Sequence, residues 1–141
     1  MILEDLPTVI DEVGGAQNLL AAKVNTQVFD FFNEVQPVQA YYFKNVLHDW
    51  SDERATAIFN NLKPAMKPGF SKIIMEEFIL PDQNASSLPC TTDMTVMVFC
   101  SGLERTRQRW ENLLAANGLR AIKYWTRQGE GLGIIEAEFA E

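Results

Sequence analysis

His48 is the one histidine in a chain of 141 residues. An imidazole titrates near neutrality, so it can take a proton from a hydroxyl under mild conditions and give it back. His48 follows an apolar run, Ala40 to Leu47, and directly precedes the polar stretch Asp49-Trp50-Ser51-Asp52-Glu53. It therefore stands at a strand end and at the mouth of a helix, either as a general base or as a capping or packing histidine. Glu77 and Glu104 could each orient an imidazole and stabilise its charged form, as a carboxylate does in a triad. As surface carboxylates they would do neither. Lys44, inside the apolar run, either snorkels to the strand edge or meets a carboxylate. Asp5 and Asp30 also follow strand candidates. Carboxylates there can accept hydrogen bonds from sugar hydroxyls or an adenine amino group, and they suit a neutral or cationic ligand better than a phosphate-rich one.

Other chemistries are poorly served. There is no G-x-S-x-G, no phosphate-binding P-loop and no H-E-x-x-H. Gly14-Gly15 lacks the spacing of a dinucleotide loop. Cys90 and Cys100 fall in no Cys/His ligand pattern, so no metal site is expected. They read as partly buried free thiols in a reducing compartment. With 12 Lys+Arg against 19 Asp+Glu, the net charge is −7. No basic stripe offers itself to nucleic acid. No apolar run approaches a membrane span and no signal-peptide pattern follows Met1, which points to the cytoplasm.

These residues need a frame. Hydrophobic residues make up 47% and charged residues 22%, enough for one packed domain. Ile2-Leu3 read as the end of a strand, with a helix carrying Val9, Ile10 and Val13 before Gly14-Gly15. Leu19 to Ala22 is too short to classify. Val24 to Phe32 is a strand candidate, and Ala40 to Leu47 suits a strand buried on both faces. Ser51 or Asp49 can cap a helix with Ala55, Ile58, Phe59 and Leu62 on one stripe. Pro64 ends it and starts an extra turn, and Pro68-Gly69 stops it. Ser71 to Leu80 is a second buried strand. Pro81 to Ser87 reads as a loop, Asp93 to Phe99 as helical. Thr106 caps a helix with Trp110, Leu113 and Leu114, closed by Asn117-Gly118. Leu119 to Trp125 and Ile134 to Phe139 pair as antiparallel strands across the turn Gln128 to Gly133. The sum is an α/β sheet with helices on its faces.

The segment Lys44-Asn45-Val46-Leu47-His48-Asp49-Trp50-Ser51-Asp52-Glu53 resembles the catalytic segment of the S-adenosylmethionine-dependent O-methyltransferases of plant, fungal and bacterial secondary metabolism. Further landmarks follow the family's order: Asp5-Leu6-Pro7, Asp30-Phe31-Phe32, Leu62 to Gly69 leading into Ile73 to Pro81, and Glu104-Arg105-Thr106. The resemblance covers nearly the whole chain. It implies a Rossmann-like fold, S-adenosyl-L-methionine as cofactor and a hydroxylated aromatic small molecule as substrate. It implies that Asp5 holds the ribose, that Asp30 and Phe31 hold the adenine, and that Lys44 lies nearby. His48 would deprotonate the substrate hydroxyl, flanked by Glu77 and Glu104, with no metal needed. Asp93 and Met97 would line the acceptor pocket. The compact spacing between Met97 and Glu104 leans toward fungal members.

Against the family pattern, a helical dimerisation domain, a first strand and its glycine-rich loop are missing. The expectation is therefore a partial O-methyltransferase catalytic domain over 1–141, with an α/β sheet incomplete at its N-terminal part and ending in an antiparallel strand pair. Loss of a central strand would expose two strand edges and invite a homodimer or a sheet-completing partner chain. Cofactor binding by the chain alone is then expected to be weak. Two other functions compete: an inactive interaction module, and a non-methylating use of the same fold such as dehydration or pericyclisation.

Overall fold

In a computed structural model that describes residues 1–13, 23–126 and 132–140, the chain separates into two units, Met1–Val35 and Gln36–Glu141. In the first, β1 (Ile2–Asp5) pairs in parallel with β2 (Asn25–Val28), Ile2 opposite Asn25 and Asp5 opposite Val28. Helix α1 (Pro7–Val13) opens on Pro7, whose missing N–H is no loss at a first helical position, and buries Ile10. Gly14-Gly15 and Leu19 to Ala22 lie outside the described residues. β2 is shorter than the expected strand over Val24 to Phe32. Asp30 accepts the Phe32 amide on its side chain (2.9 Å) and the Asn33 amide on its carbonyl (2.8 Å), so turn bonding replaces the ladder.

The second unit runs β3 (Ala40–Lys44), a 3-10 turn (Leu47–Asp49), α2 (Asp52–Leu62), a second 3-10 turn (Lys63–Ala65), β4 (Lys72–Leu80), α3 (Ser87–Cys100), β5 (Arg105–Thr106), α4 (Arg107–Ala116), β6 (Leu119–Thr126) and β7 (Leu132–Phe139). The sheet order is β3-β4-β7-β6, with β5 joined to the end of β4. β3 and β5 run parallel to β4, whereas β7 runs antiparallel to both β4 and β6. This is the expected α/β arrangement closed by an antiparallel pair. The turn expected between β6 and β7 falls largely outside the described residues.

One face of this sheet is the core. Register brings Tyr41, Phe43, Ile73, Met75, Ile135 and Ala137 to the same side, and all are buried. Ala55, Ile58, Phe59 and Leu62 of α2 and Trp110, Leu113 and Leu114 of α4 are buried too, as their helical spacing requires. Ser51, not Asp49, caps α2 by accepting the Arg54 amide, and Thr106 caps α4 through the Arg109 amide.

β3 departs from expectation twice. It stops at Lys44, because Asn45 turns the chain through a left-handed conformation (φ 51°) that asparagine tolerates. It also alternates: Tyr41 and Phe43 are buried, whereas Ala40, Tyr42 and Lys44 are exposed. The reason is its place at the edge of its sheet with one face packed. Among the described residues no strand pairs with its other edge. The thiols of Cys90 and Cys100 are free of disulfides but exposed rather than partly buried; Cys90 Sγ reaches the Ala85 carbonyl (3.9 Å) and Cys100 Sγ meets the Asp49 carboxylate. No helix of the described residues is long and apolar enough to cross a membrane.

Candidate active site

A three-residue 3-10 turn has little stability of its own and must be held from outside. The turn bearing His48 is held at its entry by Glu77 on β4, whose Oε1 accepts the amides of Val46 (3.1 Å) and Leu47 (2.8 Å). Glu77 is fully buried, and its Oε2 has no hydrogen-bond partner among the described residues. Burial pushes its carboxyl up to about 7, against the opposing pull of the two amides and the imidazole. Glu77 therefore grips the main chain beneath His48 rather than the ring.

Glu104 grips the ring. Its Oε1 lies 2.8 Å from His48 Nδ1, and Glu104 is only 2% exposed. A carboxylate accepts, so Nδ1 carries the proton and Nε2 is left with its lone pair. Nε2 lies 3.5 Å from Asp49 Oδ1, so a proton arriving there meets a second carboxylate. The Glu104 hydrogen bond is the main reason that the imidazole sits above its usual 6.5. Burial opposes it, and the charges of Glu104, Glu77 and Asp49 add to it. Because 11% of the side chain stays exposed, the ring is not sealed into the core.

The chain after α3 wraps this turn. Ser101 ends the helix in a left-handed conformation. The Leu103 amide then donates to the His48 carbonyl (2.9 Å), and the Glu104 amide to Asp93 Oδ1 (2.7 Å). At Gly102 a Cβ would stand 2.0 Å from the His48 carbonyl oxygen, so only glycine allows this approach. Next comes Arg105, fully buried, reaching back to the carbonyls of Leu47 and Trp50. Asp93 thus supports the loop through its carboxylate, while Met97 lies exposed on α3.

The residues expected to touch a cofactor are placed differently. In the first unit, Asp5 and Asp30 stand at the carboxyl ends of adjacent parallel strands, the usual ligand side of such a sheet. Asp5 accepts the Leu6 amide (2.7 Å), Asp30 that of Phe32, and the rings of Phe31 and Phe32 meet at 5.0 Å. In the second unit, Lys44 meets a carboxylate, pairing with Glu76 at 3.2 Å. Glu76 also takes the Tyr42 hydroxyl, whose pKa that bond pushes up to about 12. Among the described residues no group of three or more His, Cys, Asp or Glu could hold a metal ion.

Sequence reasoning passed over Asp49, Gly102 and Arg105 as site residues. Arg105 sits inside the Glu-Arg-Thr landmark, but nothing in periodicity marks a buried arginine. Ser101-Gly102 is a helix-stop pair, and that was the available signal for the close approach.

Residues 1–120 match the family model of the O-methyltransferase domain. The O-methyltransferase asqD of Emericella nidulans is 38% identical over 141 residues, covering 97% of this chain and 35% of that protein. The crystal structure of OxaC in complex with SAH and oxaline aligns with a TM-score of 0.88 at 35% identity, over 98% of this chain and 35% of that one. A pericyclic reaction enzyme aligns with a TM-score of 0.87 at 26% identity, over 99% of this chain and 36% of that one. The chain spans about a third of the length of the curated relatives it matches.

Proposed function

The chain belongs to the O-methyltransferase domain family, and from that premise we propose that it supplies part of the catalytic domain of an S-adenosylmethionine-dependent O-methyltransferase of fungal secondary metabolism. The substrate class is a hydroxylated aromatic small molecule, and His48 is the general base. One observation carries this reading: Glu104 holds Nδ1 at 2.8 Å and leaves Nε2 as the accepting nitrogen.

A phenol ionises near pH 10, so at neutral pH it needs help to become a nucleophile. His48 Nε2 takes the hydroxyl proton as the oxygen begins to form its new bond. Glu104 fixes the tautomer and balances the imidazolium, and Asp49 balances the newly protonated Nε2. Glu77 holds the turn in place. Bound S-adenosylmethionine would supply an electrophilic methyl group on a sulfonium centre. Asp5 and Asp30 suit that ligand, because paired strand-end carboxylates accept from hydroxyl and amino donors and favour a positive charge. Phe31 adds an aromatic face beside Asp30. Lys44 fits less directly, since its ammonium is already engaged by Glu76. Asp93 and Met97 belong to the acceptor side of the reading, Asp93 through the loop it supports. Two free thiols and an acidic surface accord with a cytoplasmic protein. A homodimer or a strand added at the open edge of β3 is the association to look for.

The test is methyl transfer by the native protein carrying this sequence, against a panel of phenols, with product mass as readout. The expected product has gained one methyl group. The His48→Ala variant is expected to lose about 10²–10⁴-fold in rate. A product of unchanged mass would favour the non-methylating reading, and an unaffected His48→Ala variant would remove His48 from the mechanism.

A further inference from the structure

We propose that Arg105 is a positioning residue for His48: its guanidinium holds the two main-chain carbonyls that bracket the histidine and so keeps the ring on Glu104. Nη1 donates to the Leu47 carbonyl and Nη2 to the Trp50 carbonyl, both at 2.8 Å. The Leu47 carbonyl also accepts the Trp50 amide (3.3 Å), the bond that closes the turn, and the Trp50 carbonyl stands just beyond it. Nε donates to Asp52 Oδ1 at 2.9 Å, so the fork is anchored to the first turn of α2 as well. Its far side lies over the Trp110 ring, with 4.9 Å from Cζ to the ring centroid. A planar guanidinium can satisfy two carbonyls and a carboxylate at once, and a lysine ammonium on a flexible stem cannot match that geometry.

The bracket has two ends. Glu77 takes the amides that enter the turn, and Arg105 takes the Leu47 and Trp50 carbonyls on either side of His48. Arg105 also directly follows Glu104, so one dipeptide holds both the ring and the main chain of the same short turn. A slackened turn would carry the imidazole away from a partner whose own amide is fixed by Asp93.

The inference rests on His48 as the base, but its test does not pass through methyl transfer. With one histidine in the chain, the imidazole gives one set of NMR signals, and its titration can be followed directly. The groups that face it are Glu104, Asp49 and Glu77. Charge and position act with opposite signs here. Deleting a nearby cation, by charge alone, raises the imidazole pKa. Loosening the turn frees the ring from Glu104 and lowers it.

In Arg105→Lys, which keeps the charge and loses the fork, the pKa is expected to fall toward 6.5. In Arg105→Met it is expected to fall as well. An unchanged pKa in a folded Arg105→Lys, or a rise in Arg105→Met, would overturn the proposal. If neither variant folds, Asp52→Glu decides, because it keeps the charge and displaces the carboxylate from the guanidinium. Asp52 is largely exposed, so the change loosens the anchor without emptying the core. A fall of a few tenths of a unit supports the clamp, and no change contradicts it.

Discussion

The His48 turn and the acidic strand ends of the first unit are built on opposite plans. His48 is fixed through its ring by Glu104, through its carbonyl by Leu103, and through the turn around it by Glu77 and Arg105. Those partners come from β4 and from the stretch 103–105, more than 25 residues away in sequence. Asp5 and Asp30 bond to amides one and two residues ahead of them. The proposed base is thus locked by tertiary structure, whereas the strand-end carboxylates are set by local turn chemistry. A base must hold one tautomer in one position, and buried neighbours provide that. A carboxylate that accepts from hydroxyl groups tolerates more freedom.

The comparison can be broken most severely at His48. Its replacement by Ala should cost about 10²–10⁴-fold in methyl transfer by the native protein. Thermal stability should fall as well, since the substitution leaves the buried Glu104 carboxyl without its ring partner.

Glu77 gives the next largest effect, and its sign can be worked out. Its carboxyl titrates at about 7 in the folded chain, against a usual 4.5. The folded state therefore holds the proton longer than the unfolded state. Its contribution is fully present below pH 4.5 and is lost as pH rises through about 7, a change of roughly 3 kcal/mol. Glu77→Gln keeps an oxygen for the amides of Val46 and Leu47 but cannot ionise. Denaturant unfolding of the two proteins should diverge between pH 4.5 and 7, with the Gln variant flatter. Parallel curves would show that Glu77 is not buried as described.

A smaller effect is expected at Ser51, whose hydroxyl accepts the Arg54 amide at the start of α2. Ser51→Ala should cost about 1 kcal/mol in denaturant unfolding. The smallest belongs to the other side of the comparison. Asp5→Ala should shift unfolding by less than about 0.5 kcal/mol. In the native protein it should weaken S-adenosylmethionine binding by roughly tenfold, the worth of a hydrogen bond to a charged group. A large loss of stability with unchanged binding would reverse the contrast.

What the sequence made legible follows the same division. β4, α2, α4 and the β6–β7 pair could be read because periodicity and caps are local properties. Ser51, Thr106, Pro64 and Gly118 mark their ends in the sequence itself. The 3-10 turn at Leu47–Asp49 is too short to have a period, so Leu47 read as the tail of a strand and His48-Asp49 as part of the polar turn that opens a helix. The start of α3 was hidden because Ser87-Leu88-Pro89 looks like loop. The burial of Glu77, Glu104 and Arg105 depends on which distant elements cover them, and no local pattern encodes that. Glu77 shows the limit best: the residue was picked out, but its hold on the main chain rather than the ring appears only in three dimensions. The one-sided burial of β3 likewise depends on its neighbours in the sheet.

In the proposed mechanism Glu104 sets His48 as a base through Nδ1. The most direct test is the pH dependence of methyl transfer by the native protein, compared with its Glu104→Gln variant. The wild-type rate should rise with pH as the imidazole loses its proton, with a midpoint above 6.5. In Glu104→Gln the midpoint should move down and the plateau should fall. A wild-type rate flat from about pH 6 to 8, or a midpoint indifferent to Glu104, would contradict it.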